Sequence, residues 1–480
     1  MNHVEDNDPF AVQENVKYVT FTRTSSTVLD TSQEKQNHGN GKKTDTNANL
    51  PLSIYLTNFA NEVSILGLKQ AINPKFSLFR RFIWGLCVMG GMICMFYHIY
   101  NRFATFAGNP VSVNIAVHHK DSLQFPTVTI CNNNVFNASS LSANNESGVA
   151  YMYPPHRLTP TPFASSVNWT DFHIRNGYEF ENIYGGFCAW GASSGSVSTC
   201  SAANFTPVVT EMGLCYQFNW GDTNLKTWVE GSSNGLTLHL WTAQEEALSS
   251  VFTAGYTVRV HNPHEFPEIR SRGLLVAPGA TTQLSIKQAR AQNLPSPYGN
   301  CRDGSLTYFR EYSKVNCMAE CNHKNIMQKC GCRLHYYPPV AGTRECSPYD
   351  VYTCVGQQLV IDSDEKAAAL NCDCSEPCSG VSYQHGVTHS RISDSYANYS
   401  ATITGKSPEY VKSNYVILKV YYSDLSYQET IQSASYPFLT LLADIGGALG
   451  LVLGMTMMTL VEVVDFCFQL CWLQFYKRKT

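Results

Sequence analysis

Three carboxylates sit where carboxylates are costly. In the stretch FLTLLADIGGALGLVLGMTMMTLVEVVDF, Asp444, Glu462 and Asp465 interrupt an apolar run long enough to cross a bilayer. An ionised acid facing lipid costs a few kcal/mol on insertion scales, about 3 kcal/mol each, so these three are expected to face water or protein. Gly446, Gly450 and Gly454 recur at four-residue spacing in the same stretch, where missing side chains allow neighbouring helices to approach closely. Acids and a glycine row together point to a water-filled path built by several copies, with no bond made or broken. No His-Glu-x-x-His or phosphate-loop pattern occurs, and no enzyme is expected.

These residues need a membrane to act in, and two spans are expected. The first covers residues 82–102, with Arg80 and Arg81 on its leading flank. The second covers residues 434–466 and leads to Lys477, Arg478 and Lys479. By the positive-inside rule both termini are cytoplasmic, and residues 103–433 lie outside. The opening MNHVEDNDPF has acids and no apolar core, so an internal span is expected to direct the chain to the membrane. Residues 1–81 read as a cytoplasmic tail, disordered to about residue 50, and 467–480 as a second tail. With 34 Lys+Arg against 37 Asp+Glu, no basic field attracts nucleic acid.

The outer region carries its own chemistry. Of the 18 cysteines, four (Cys87, Cys94, Cys467, Cys471) fall in or beside the spans, and the even remainder is what a fully paired framework needs. The C-x-C pairs Cys330/Cys332 and Cys372/Cys374 are tighter than usual zinc-ligand spacing and favour disulfides, so no metal or cofactor is expected. Sequons at Asn137, Asn145, Asn168, Asn204 and Asn398 all lie in this region, with Pro207 weakening the fourth. The stretches GLTLHLW, YTVRVH and YVILKVYY read as strands, giving a disulfide-rich α+β extracellular domain on a two-span helical membrane protein.

The motifs resemble those of the degenerin/epithelial sodium channel family, which includes acid-sensing and peptide-gated channels. FPTVTICN after the first span, CYQFN at Cys215, Asn234-Gly235-Leu236, Val276-Ala277-Pro278-Gly279, the run ending at Cys378, and Asp444-Ile445-Gly446-Gly447 with Glu462 stand in the family's order over residues 60–466. The resemblance implies a homo- or heterotrimeric, amiloride-sensitive cation channel of the plasma membrane, with palm, finger, knuckle, β-ball and a thumb at about 301–380. It implies seven disulfides: Cys131–Cys215, Cys188–Cys200, Cys301–Cys378, Cys317–Cys374, Cys321–Cys372, Cys330–Cys354 and Cys332–Cys346. Asp444 would form an outer acidic ring, Gly447 and Gly450 the narrow helix crossing, Gly454-Met455-Thr456 the filter, and Glu462 with Asp465 inner rings.

Three positions depart from the family pattern. Its His-Gly pair before the first span is Leu66-Gly67 here; its Gly-Ala-Ser filter is Gly454-Met455-Thr456; and the aromatic before the first thumb cysteine is Tyr298 instead of Trp. Sodium is the expected permeant ion, membrane lipid the surroundings, and an extracellular neuropeptide the leading stimulus. Protons are the rival, through Glu245, Glu246, His118 and His119, although the thumb after Cys354 reads Val-Gly-Gln-Gln and lacks a facing acid. Constitutive or mechanical opening, and a two-span surface receptor without a pore, are the remaining alternatives.

Overall fold

A computed structural model describes Phe59, Val63, Ile65 and residues 67–150, 167–193, 196–248, 251–356 and 372–477. The tail expected to be disordered, Leu66, and the acids Asp362, Asp364 and Glu365 lie outside these.

The first span is one helix, Leu78–Ala107. At 1.5 Å per residue its thirty residues reach about 45 Å, longer than the hydrocarbon core. Phe79, Phe82, Ile93, Phe96, Tyr97 and Tyr100 are exposed along it, an apolar surface suited to lipid and not to water. It begins before and ends after the expected 82–102.

Fourteen strands follow in the described chain: β1 Val111–His119, β2 Leu123–Gln124, β3 Thr127–Asn132, β4 Tyr184–Ser193, β5 Ser196–Thr199, β6 Phe205–Thr210 and β7 Gly213–Phe218. Then come β8 Lys226–Thr227, β9 Leu236–Trp241, β10 Tyr256–His261, β11 Leu274–Val276, β12 Ala280–Gln292, β13 Ser379–Arg391 and β14 Tyr415–Ala434. The large sheet runs β13-β12-β14-β9-β4-β5, with β1 on the membrane-proximal part of β14; the smaller runs β11-β10-β3-β7-β6. All three expected strand stretches are strands. In β9, Leu236, Leu238 and Leu240 are fully buried while the residues between are not, the two-residue alternation of a sheet with one face in the core. They pack with Leu284, Ile286, Val416, Leu418 and Phe125 in one core joining the two sheets.

The segments expected to form the two spans continue directly into this sheet. β1 follows the first span and lies antiparallel to β14, which enters the second, from Val111 opposite Ala434 to His119 opposite Ser426. Movement of the sheet base therefore acts on both spans together.

The thumb helix, Lys314–Cys330, starts at Ser313, whose hydroxyl accepts from Asn316 N–H, and ends at Gly331 with φ 67°. Cys317 and Cys321 share a helix face and bond Cys374 and Cys372 on one returning segment. All seven pairings implied by the resemblance are present. The four membrane cysteines are free.

Candidate ion pathway

The region expected to form one continuous helix over 434–466 does not. It is two half-helices, Phe438–Leu453 and Met457–Lys477, and the bend between them is 81°. The cause is local. Gly454 adopts φ 63°, and N–H donation from Gly454 to Gly450 O (3.0 Å) and from Met455 to Leu449 O (3.2 Å) closes a glycine-ended helix terminus. The next helix is capped at once: Thr459 Oγ1 accepts from Thr456 N–H at 3.1 Å and Thr456 Oγ1 from Thr459 N–H at 3.4 Å. Gly454, Met455 and Thr456, the expected filter, thus form the whole break, and Gly454 ends the glycine row instead of continuing it.

The span crossing within the chain is made elsewhere. A Cβ on Gly91 of the first span would meet Val452 Cγ1 at 3.1 Å, so a glycine there lets the helices touch. Gly446 and Gly447 have nothing within 4 Å of such an atom among the described residues, and Gly450 only Met455 O at 3.7 Å. That face is open.

The acids occupy both ends. Asp444 Oδ2 accepts from Tyr436 Oη at 2.6 Å and lies 3.5 Å from Arg102 Nε of the first span. Asp465 Oδ2 accepts from Gln469 Nε2 at 2.8 Å. Glu462, one turn before Asp465, shares its face and is half-buried. Below, Phe466 stacks on Phe59 at 3.9 Å. Gly67 has φ 86° and packs so closely on Val88 that a Cβ would lie 3.0 Å away.

Tyr298 sits in a tight turn, donating N–H to Pro295 O at 3.2 Å. It lines an ~820 Å³ cavity with Val111, Val113 and Gln432 of the sheet base and Cys372 of the thumb. The turn is tied to β14 by Leu294 N–H donating to Gln432 Oε1 at 3.0 Å.

The sequence profile of the amiloride-sensitive sodium channel family matches residues 59–466. This chain belongs to that family. Acid-sensing ion channel 4-B of Danio rerio is 30% identical over 434 residues, covering 86% of this chain and 76% of its own. Acid-sensing ion channel 1C of the same fish is 28% identical over 86% and 83%, and the bile acid-sensitive ion channel of Mus musculus 28% over 85% and 86%. A cryo-EM structure of a proton-activated chloride channel overlays with TM-score 0.33 at 6% identity, covering 80% of this chain and 96% of that one, a likeness that carries no argument. The protein is an ion channel and not an enzyme. Among the described residues no group of three or more metal-ligating side chains forms.

Within this sodium channel family member, the stimulus candidates meet different partners. Glu245 Oε1 accepts from Tyr410 Oη at 2.6 Å, and burial first, then this carboxylate, pushes the tyrosine's pKa up. Glu246 accepts from Ser139 N–H and Oγ, both at 2.9 Å. Both acids are thus engaged by hydroxyl and amide donors. His118 Nε2 lies 3.0 Å from Glu429 Oε2, and its ring stacks on Tyr427 at 5.1 Å. Gln292 Nε2 donates to Glu429 Oε1 at 2.9 Å, and Arg290 covers the other side of the cluster, 4.0 Å over Tyr427. His119 is exposed. Glu429, Tyr427, Arg290 and Gln292 were not legible as site residues, because only the register of β1 and β12 on β14 brings them to His118. Asn145, Asn168, Asn204 and Asn398 are exposed and Asn137 is half-buried.

Proposed function

We propose that three copies of this chain, alone or mixed with related subunits, form a sodium-permeable channel in the plasma membrane, with both termini cytoplasmic and residues 103–433 outside. The observation that carries this is the non-helical break at Gly454–Thr456. Backbone outside a helix at membrane depth is tolerated only where protein or a water-filled path satisfies it. Acids stand on either side of it, and by threefold symmetry each becomes a ring of three charges. Asp444 contributes the outer ring, the open face at Gly447 and Gly450 the crossing between subunits, Gly454 to Thr456 the filter, and Glu462 with Asp465 the inner rings. Met455 and Thr456 replace smaller residues, which weakens the sodium over potassium preference and amiloride block relative to Gly-Ala-Ser channels.

The stimulus we propose is a short extracellular peptide, because Glu245 and Glu246 already serve Tyr410 and Ser139 and are poorly placed as a free proton-sensing pair. Proton opening is the second reading, favoured by the His118–Glu429 contact at the sheet base and by the names of the acid-sensing relatives. Expression of the chain alone, with amidated peptides and acid applied in turn during current recording, separates the two. Replacing external sodium by potassium then tests the pore: a larger reversal shift in Met455→Ala plus Thr456→Ser supports the filter, and no change moves selectivity to the Glu462 ring.

A further inference from the structure

The inner half-helix has two faces of opposite chemistry. At about 100° per residue, Glu462, Asp465 and Gln469 fall within an arc of roughly 60°. Leu460, Val464, Cys467 and Cys471 fall within an arc of similar width on the opposite side, about 160° away. Leu460 and Val464 are exposed apolar residues, as is Phe468 beside them, and both cysteines are exposed free thiols. If the acids face the ion path, as proposed above, the thiols face lipid. Their depth follows from the residues after Phe466, the ring that stacks on Phe59. Cys467 is next in sequence, Cys471 is one turn further, and exposed Trp472 and the basic Lys477 follow, the composition of a cytoplasmic interface.

We infer that Cys467 and Cys471 are a paired S-acylation site taking long-chain acyl groups from acyl-coenzyme A. The thiol sulfur attacks the acyl carbonyl carbon, a new carbon–sulfur bond forms, the bond to coenzyme A breaks, and coenzyme A leaves as its thiol with the proton. Each chain then runs toward the bilayer core over Val464 and Leu460, anchoring the lipid side of the half-helix that carries the inner acids. Cys87 and Cys94 are also free. They lie roughly 9 and 20 Å past Arg81 along the first span, too deep for a donor at the interface. The fourteen outer cysteines are all paired and offer no thiol.

The test is acyl–thiol exchange with a mass tag on the full chain expressed in animal cells. Two hydroxylamine-dependent tags are expected in the wild type, one in either Cys467→Ser or Cys471→Ser, none in the double variant, and two in Cys87→Ser plus Cys94→Ser. Absence of tags in the wild type, or tags that survive the double variant, overturns the site. The readout needs no current: tags at these positions in a chain that conducts nothing would uphold the site and sink the proposed pore assignment, while current without tags would do the reverse.

Discussion

The disulfide-rich module and the broken helix pair stand at opposite extremes of constraint. Between Cys301 and Cys378 five disulfides tie one helix and its return segments into a module with its own buried cluster, Ala319, Ile326, Leu334, Tyr337 and Val355. Such a body moves as a unit. Between Leu453 and Met457 the span is held by a glycine in a left-handed conformation and a reciprocal threonine cap. Each such cap is worth about 1 kcal/mol. A stiff module joined to a pliable break concentrates motion at the break, the proposed filter.

The largest effect is expected from loosening the stiff end. Removing Cys301–Cys378 by a double change to serine costs about 2–5 kcal/mol. Surface biotinylation should find little of that variant at the membrane, whereas serine at the free Cys87 and Cys94 should leave delivery unchanged. Normal delivery of the disulfide variant would mean that the remaining bridges alone stiffen the thumb.

Acid should loosen the same module more gently. His335 is buried, and desolvation holds its pKa down at about 3; His323, between Tyr308 and Tyr337, is held at about 4 for the same first reason. The folded pKa lies below the unfolded ~6.5, so the unfolded chain binds more protons and stability is lost as pH falls below about 6.5. For His335 alone the loss at pH 5 is about 2 kcal/mol. Thermal unfolding of the purified channel should show its midpoint falling from pH 7 to 5, with a shallower slope in His335→Gln; equal slopes would remove the histidine from the account.

This contrast also divides what could be read from the sequence. The strands at Leu236, Tyr256 and Tyr415 were legible because alternating burial writes itself into alternating residue types, and the seven pairings because the motif order carried them. The break was not. Methionine and threonine are tolerated in a membrane helix, so Gly454-Met455-Thr456 lies inside an unbroken apolar run. The readable signal was finer: a glycine able to end one helix, then Thr456 and Thr459 at cap spacing to start another. The His118–Glu429 contact left no trace at all, since strand register is set by the whole sheet and not by either residue.

At the pliable end, Gly454→Ala tests the break itself. A side chain at φ 63° costs about 1 kcal/mol or more, which favours rewinding the two half-helices toward one. Sodium over potassium preference, read from reversal potentials, should fall with delivery unchanged. Unaltered selectivity would mean that contacts between subunits, and not the glycine, hold the break open.

The smallest expected effect lies where the first span meets the half-helix Phe438–Leu453. Arg102 and Asp444 are each partly exposed, at 41% and 37% of the side chain, and 3.5 Å apart, so the pair itself contributes at most about 1 kcal/mol. In the proposed pore its larger influence is on ions: the guanidinium offsets the Asp444 carboxylate, which would otherwise draw cations to the mouth. Arg102→Gln leaves that charge uncompensated and should raise single-channel conductance by less than about twofold in dilute salt, because the field of one charge per subunit is felt over a Debye length of about 10 Å at 0.1 M. The gain should vanish at 1 M, and Arg102→Lys should show little of it. Tyr436→Phe, which removes a neutral donor 2.6 Å from the same oxygen, should leave the salt dependence as it was. A gain that persists in concentrated salt would assign Arg102 to helix packing instead, and the outer mouth would then owe its cation attraction to Asp444 alone.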